Sequence, residues 1–190
     1  MPLKEGTRDK LKSVGTADVA AALARRGLRR QSVPGLRPLS PFQEVLVGEA
    51  GKAIDACPSG GVLVVEGNAT SVPVARLMRR RVAGIVADSA LRNAAEIARA
   101  GVPAYHRPPG TSPRALPIAA GDVLLGDRAG VVVIPAHMVD EIAEEAVEAA
   151  AFEEFVAEQV SAGGGVYGLH IPSGEQARAA FAAWRKMKGR

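Results

Sequence analysis

An apolar run, a tight turn of small residues and a helical pattern follow one another between Gly84 and Gly101. The apolar run ends at Asp88, and the helical pattern begins near Asn93. A strand that leads into a helix in this way presents unpaired backbone N–H groups and the positive end of a helix dipole. Arg92 adds a planar, permanently charged group that can hold a carboxylate through two hydrogen bonds. The pattern therefore predicts a β-to-α unit with a binding site for a small carboxylate at its turn.

Other short apolar runs bounded by glycine predict further strands. Two such runs between Gly121 and Pro135 flank an Asp-x-x-Gly turn, which is typical of a β-hairpin. The stretch 107–117 is dense in proline and glycine and predicts a loop. The other predicted strands are Val45–Val47, Val62–Val65 and Val102–Tyr105. The predicted helices begin at Thr16 (as an N-cap), Pro73 (with Val74, Leu77 and Met78 inward), Asn93, Val139 and about Glu175, and Lys52–Ala56 is predicted as a brief helical turn.

The composition is that of one soluble domain. A chain of 190 residues, 47% hydrophobic and 23% charged, is long enough to bury a sizeable core. No apolar run approaches the ~18 residues of a membrane span, and the first five residues lack a signal-peptide core, so a cytoplasmic location is expected. The lone Cys57 excludes an internal disulfide and a thiolate metal cluster.

The net charge of +4 does not by itself predict a nucleic-acid partner. The basic pairs and triplets lie at the ends of helical patterns, where cations complement the helix dipole. No interleaving of aromatic and basic residues of the kind that stacks bases is present in the sequence. We therefore expect neither a nucleic acid nor a membrane as partner.

Taken together, these landmarks resemble the RraA-like family. That family contains 4-hydroxy-4-methyl-2-oxoglutarate/4-carboxy-4-hydroxy-2-oxoadipate aldolases, oxaloacetate decarboxylases and regulators of ribonuclease activity. A helix at Phe152–Phe155 and the segment Gly168–Pro172 resemble the C-terminal extension of a longer subfamily. The segments that carry the resemblance are Thr16–Leu23, Gly35–Leu39, Val47–Ala50, Gly61–Val65, Gly84–Asn93, Gly101–Pro103 and, most specifically, Gly121–Pro135.

The resemblance implies an α/β fold of the ββα swivelling type, which is phosphohistidine-domain-like. It implies a single domain over residues 1–160, with a C-terminal helical extension at 161–190 packed on the same domain or on a neighbouring subunit. It also implies a homotrimer with sites at the subunit interfaces, a divalent metal (Mg²⁺ or Mn²⁺) and small 2-oxo acid substrates.

The resemblance also assigns roles to particular residues. In the family's enzymes a Gly-acidic-Leu loop supplies N–H groups to the pyruvate part of the substrate, and Ser71-Val72-Pro73 aligns with that loop. An Arg-Asp pair follows, in which Arg binds the carboxylate and Asp contacts the metal. Arg92 matches this Arg and is the expected catalytic and substrate-binding residue, with Ser71 and Val72 as further substrate contacts. Asn93 stands where the Asp is expected, so both acidic family positions are replaced in this chain.

The metal contacts expected from the resemblance are therefore Asn93 and, as a compensating carboxylate, Asp88 or Glu66. Asp88 has a second interpretation, as a solvated turn residue. Two other groups have structural interpretations: Asp122 and Asp127 as turn residues of the hairpin, and His106, His137 and His170 as isolated histidines without metal-ligand spacing.

The chemistry explains why such residue types occur together. Retro-aldol cleavage and β-decarboxylation both leave an enolate of pyruvate, whose charge a metal and an Arg stabilise. Mg²⁺ keeps several waters, so that one or two carboxylates suffice to bind it.

Two functions stay open. One is a metal-dependent lyase that releases pyruvate, with activity impaired by the missing acids. The other is a non-catalytic homotrimeric regulator that binds a ribonuclease or another protein. The missing acids favour the regulator, and the C-terminal extension favours the lyase.

Overall fold

The structure is a computed structural model that describes residues 3–41, 43–67, 71–163 and 175–189. Its helices are α1 Glu5–Lys12, α2 Thr16–Arg25, α3 Val74–Arg80, α4 Ala94–Arg99, α5 Val139–Ser161 and α6 Glu175–Met187. Its strands are β1 Arg37–Pro38, β2 Leu46–Gly51, β3 Val62–Val65, β4 Gly84–Ala87, β5 Ala104–His106, β6 Val123–Asp127 and β7 Gly130–Ile134.

All seven strands form one mixed sheet in the order β1-β5-β4-β3-β2-β6-β7. The four strands β2 to β5 are parallel neighbours, and α3 and α4 connect β3 to β4 and β4 to β5. The β6–β7 hairpin adds antiparallel to β2, with Asp127 opposite Gly130 at its turn. The predicted β-to-α unit and the predicted hairpin are both confirmed.

The chain between α2 and β2 nearly closes this sheet into a barrel. The Val33 N–H donates to Val131 O, and the Val133 N–H donates to Gln31 O, both at 2.9 Å, so residues 31–33 pair with the free edge of β7. A few residues later the same segment forms β1, which pairs with β5 at the opposite edge of the sheet. The predicted α/β swivelling-type fold is confirmed in this curled, mixed sheet.

Tyr105 spans the inside of the curled sheet. Its hydroxyl donates to Asp127 O at 3.0 Å, and its ring lies over Gly126. A Cβ at Gly126 would lie 2.6 Å from the ring, so only glycine lets β5 and β6 approach this closely. Burial raises the pKa of Tyr105 to about 12, so the phenol stays protonated and keeps donating its hydrogen bond.

Three apolar clusters hold the layers together. The first fills the inside of the sheet, and the other two lie under the helices on its outer faces. Since β-branched and leucine side chains supply nearly all of this volume, the scarcity of aromatic residues costs the core little. The inner cluster includes Val33, Leu46, Val64, Val86, Tyr105, Leu124 and Val133; the cluster under α1, α2 and α5 includes Leu11, Val19, Leu23, Leu125 and Ile142; the cluster under α3 and α4 includes Leu77, Ile85, Leu91 and Ile97.

The last helix, α6, packs on α5 through aromatic side chains. The Phe152 and Phe181 rings meet edge to face with centroids 5.2 Å apart, and Phe155 and Trp184 meet at 5.9 Å. The indole N–H of Trp184 also donates to Glu158 at 2.7 Å. The predicted C-terminal helix is thus confirmed, whereas the Gly168–Pro172 motif and His170 lie outside the described residues.

Several local features differ from the prediction. Helix α1 was not predicted, because it buries only Thr7 and Leu11 and so shows little apolar periodicity. Met78 points outward and is 57% exposed, since the apolar stripe of α3 carries only Val74 and Leu77. The brief helical turn predicted at residues 52–56 is a single hydrogen-bonded turn, in which the Ala56 N–H donates to Ala53 O at 3.1 Å, and not a helix.

Thr16 is the first residue of α2 rather than its N-cap, and the cap comes from elsewhere in the chain. The carboxylate of Asp127 accepts hydrogen bonds from the Thr16 N–H at 2.8 Å and from the Thr16 hydroxyl at 2.9 Å. It also accepts the Ala129 N–H at 2.8 Å, which confirms its predicted role in the hairpin turn. One side chain therefore ties the hairpin to the start of α2.

Replacing Asp127 with alanine should lower the free energy of unfolding by about 2 kcal/mol, because a helix start and a turn lose their acceptor together. Asp122→Ala is the matched control: in the described part of the chain the Asp122 carboxylate accepts a single exposed hydrogen bond, from the Ala119 N–H. Its effect should stay below about 1 kcal/mol. Urea unfolding of both variants measures the difference, and equal effects would show that Asp127 does not link the two elements.

Candidate functional site

The polar side chains that the sequence singled out gather at one edge of the sheet. Glu66 follows β3, Asp88 follows β4 and His106 ends β5. The carboxyl ends of parallel strands meet at the same edge, which is where α/β sheets bind small ligands. The segments 71–73 and 91–93 begin the helical connections at this edge. It is the candidate site.

Asn93 joins these two segments. Its Oδ1 accepts the Val72 N–H at 3.1 Å, and its Nδ2 donates to Val72 O at 2.8 Å and to the Glu96 carboxylate at 2.9 Å. Val72 is 4% exposed, so these bonds satisfy a buried peptide group. Only an amide side chain both accepts and donates in this way, because an ionised Asp has no proton to give.

This pairing differs from both expected roles. The resemblance places the Val72 N–H on the substrate and the side chain at position 93 on a metal. Here the Val72 N–H is used by Asn93, and both atoms of the Asn93 amide are used by protein groups. Asn93 acts as a positioning residue that fixes segment 71–73 against the start of α4.

Asp88 is not a solvated turn residue. It is 3% exposed, and both of its carboxylate oxygens lie 3.0 Å from the Gly67 nitrogen, whose N–H they accept. The carboxylate thus holds the start of the loop after β3 to the end of β4. A buried carboxylate needs such donors, because an unpaired one would carry a large desolvation cost.

Glu66 is also engaged. Its carboxylate forms an ion pair with Lys52 at 2.8 Å and accepts the Leu116 N–H at 3.3 Å. The Lys52 ammonium lowers the pKa of Glu66, so the group is ionised at neutral pH. This link joins the end of β2, the end of β3 and the loop before β6, and the sequence did not reveal it because the two residues are 14 positions apart.

Arg92 stands apart from these partnered groups. Its neighbour Leu91 is buried and anchors the turn, whereas Arg92 is exposed. Within the described residues its guanidinium has no hydrogen bond or ion pair. Ser71 is likewise exposed and precedes the pinned Val72, so the Val72–Asn93 pair brings the segments of Ser71 and Arg92 together. The site therefore offers a positive charge and a nearby hydroxyl to solvent.

The side chains expected to bind a divalent metal are held by protein groups within the described structure. No group of three or more His, Cys, Asp or Glu side chains placed to hold one occurs within residues 3–41, 43–67, 71–163 and 175–189. Of the two expected ligands, Asn93 is neutral and bound to Val72, and Asp88 is turned to Gly67. The divalent metal of the resemblance stays a prediction, and no chemical step below passes through it.

Of the two described histidines, His106 lies at this edge and His137 does not. His106 ends β5 with its Nδ1 buried and without a hydrogen-bond partner among the described groups. Burial lowers its pKa, so the imidazole is neutral at pH 7. His137 is exposed in the 3₁₀ turn before α5.

The architecture can now be compared with known structures. Streptomyces coelicolor RraAS2, described as an unusual member of the RNase ES inhibitor RraA protein family, superimposes with a TM-score of 0.68. The match covers 83% of this chain and 98% of that chain at 24% identity. The chain has an RraA-like fold.

Two further structures share this RraA-like fold. An uncharacterized protein from Pseudomonas syringae pv. tomato str. DC3000 matches with a TM-score of 0.74 at 22% identity, over 94% of this chain and 99% of that one. A structure described as novel cellulases from microbes associated with the gut ecosystem matches with a TM-score of 0.68 at 17% identity, over 82% and 89%. No family model and no curated protein matches the sequence. Because these neighbours carry such different descriptions, function must be argued from the site.

None of the described helices combines the length and the apolar character that a membrane crossing needs.

Proposed function

We propose that this RraA-like chain binds small 2-oxo acids at Arg92 and acts as a lyase that releases pyruvate. The observation that carries the proposal is the exposed guanidinium of Arg92, which has no partner within the described residues, whereas the neighbouring Asp88 and Asn93 side chains are both engaged. A free arginine at the carboxyl edge of parallel strands suits a carboxylate, which it holds through two hydrogen bonds. Ser71, which is exposed and precedes Val72, would add a hydroxyl contact.

Of the candidate reactions, decarboxylation of oxaloacetate requires the fewest catalytic groups from the site. The C3–C4 bond breaks, C4 leaves as CO₂, the electron pair passes to the enolate with its charge on the C2 oxygen, and water returns a proton to C3. No protein base is required. Retro-aldol cleavage needs a base for the 4-hydroxyl proton, and the nearby carboxylates of Asp88 and Glu66 are held by Gly67 and Lys52. In the proposed step Arg92 binds the C1 carboxylate and offsets the developing enolate charge.

Assembly would strengthen this effect. Water screens the electrostatic interactions of an exposed charge, whereas the same charge at an interface that excludes water interacts more strongly. The homotrimer implied by the resemblance, with sites between subunits, fits an arginine that is exposed in the single chain. Light scattering on the eluting protein should give three times the 19.7 kDa chain mass; a monomer would contradict this part of the proposal.

The assay follows pyruvate release from oxaloacetate by the purified protein, in EDTA and with added Mg²⁺ or Mn²⁺. Free metal also decarboxylates oxaloacetate, so each condition is paired with a protein-free blank. We expect a saturable rate above the blank that persists in EDTA, since both expected metal ligands, Asn93 and Asp88, are held by protein groups. A rate equal to the blank in all conditions would refute the lyase proposal. A rate that appears only with metal would show that the predicted metal is required.

A second candidate is the non-catalytic regulator that binds a ribonuclease or another protein. It is favoured by the use of Asn93 as a clamp on Val72 and by the likeness to RraAS2, which is described as a member of an RNase inhibitor family. Inhibition of ribonuclease cleavage by the chain, unchanged in Arg92→Ala, together with no pyruvate release, would select this candidate. No inhibition and no retained ribonuclease would exclude it.

A further inference from the structure

A basic pocket lies where the barrel-closing segment 29–34 meets the loop that follows β5. Its volume is about 570 Å³, within the range of small-molecule sites. Four arginines line it: Arg29, Arg30, Arg107 and Arg114. No acidic side chain is among the described residues that line it, and none of the four arginines has an ion pair within those residues.

Arg107 forms a buried part of this pocket. It is 7% exposed, its Nη1 donates to Pro34 O at 3.1 Å, and its Nε is buried without a partner among the described groups. The guanidinium packs on Gly35, where a Cβ would lie 2.7 Å from Nη1. Gly35 also has φ +77°, a conformation that favours glycine. Gly35 thus leaves room for the Arg107 guanidinium, but the described groups around it satisfy only part of its hydrogen-bonding capacity.

A buried cation without an acidic partner is costly, and three further cations around it raise that cost. An anion with two or more negative charges removes both penalties, since arginine binds phosphate and carboxylate oxygens through paired hydrogen bonds. Ser32, on the same wall, is exposed and adds a hydroxyl donor. No aromatic side chain lines the pocket to stack a base, which favours a compact anion over a nucleic acid.

We propose that this pocket binds a small molecule bearing a phosphate or a set of carboxylates, held by Arg107 at its base and by Arg29, Arg30 and Arg114 around it. The site shares no residue with the Arg92 edge, so it does not depend on the proposed lyase activity.

The test is calorimetric titration of the full chain with inorganic phosphate and with citrate, at constant ionic strength. Saturable binding of either anion is expected, and the preferred probe separates a phosphorylated ligand from a polycarboxylate. The double variant Arg29→Gln/Arg114→Gln should weaken binding by about tenfold or more, because two charged hydrogen-bonding groups are lost. Arg25→Gln/Arg79→Gln removes the same net charge from exposed sites elsewhere and should change affinity less than about twofold.

Arg107→Gln should abolish saturable binding. Because Arg107 is buried, circular dichroism of this variant first checks that it folds. If the variant does not fold, the result for Arg29→Gln/Arg114→Gln decides the question. Arg92→Ala should leave binding here unchanged, which separates this site from the lyase proposal. The proposal is overturned if neither anion binds saturably, if the Arg25/Arg79 control weakens binding equally, or if only an RNA oligonucleotide binds.

Discussion

Arg92→Ala should reduce kcat/KM for oxaloacetate decarboxylation by about 100-fold, while the free energy of unfolding changes by less than about 0.5 kcal/mol. The loss is large because the guanidinium is the one candidate-site charge without a partner in the described structure. The stability effect is small because the side chain is exposed and leaves no buried group unsatisfied. Steady-state kinetics and urea unfolding of the same preparation measure both quantities.

Arg99→Ala is the matched control for this result. Arg99 lies on α4, is exposed and, among the described residues, bonds only to the Ala95 carbonyl of its own helix. Its removal changes the net charge equally and should leave kcat/KM within about twofold. Arg92→Lys keeps the charge but loses the paired hydrogen bonds, so an intermediate rate is expected. Equal losses in Arg92→Ala and Arg99→Ala would point to general charge rather than to a site.

Asn93→Asp should destabilise the fold by about 2 kcal/mol. The new carboxylate keeps the bond from the Val72 N–H but loses the donation to Val72 O, and it faces both that carbonyl and the Glu96 carboxylate. Since Val72 is buried, its carbonyl would be left without a donor. The resemblance instead predicts that an acid at this position restores a metal contact and raises activity. Urea unfolding with and without Mg²⁺ separates the two expectations.

The physical cause can be checked in the same series. Glu96→Gln combined with Asn93→Asp should recover part of the loss, because one of the two repulsions disappears. The loss should also shrink as the pH is lowered through the range in which a carboxyl group protonates, since a protonated acid can again donate to Val72 O. If Asn93→Asp matches the parent in stability and gains further stability from Mg²⁺, position 93 is a metal ligand and the clamp interpretation is wrong.

Strands β2 to β7 and most helices followed from the sequence because each has a local cause. The β3–α3–β4–α4–β5 alternation shows as short apolar runs between glycines, and the hairpin shows as a turn between two such runs. The closure of the sheet by residues 31–38 could not be read locally, because its hydrogen bonds join Gln31 and Val33 to a strand about 100 positions away. The same holds for the Asp127 cap on α2, which spans 111 positions.

The place of Arg92 in the fold could be predicted from the sequence, but the hydrogen bonds around it could not. A strand-to-helix turn with a free arginine is a local pattern, so the position of Arg92 at the sheet edge could be predicted. The partners of Asn93 and Asp88 could not, because they come from the segments around Val72 and Gly67, which are 21 positions away. Reading Asn93 as a defective Asp missed that an amide both accepts and donates, which is the property the fold uses.

The most direct test of the central claim is an NMR titration of the ¹⁵N-labelled chain with oxalate, a stable mimic of the pyruvate enolate, in EDTA. The account predicts saturable shifts of the amide signals from residues 88–93, with the affinity lowered about tenfold or more in Arg92→Ala and unchanged in Arg99→Ala. Shifts near residues 29–34 and 107–117 would report the separate basic pocket and are removed by Arg107→Gln. Signals at residues 88–93 that do not move, or that move equally in Arg92→Ala, would contradict a 2-oxo acid site at Arg92.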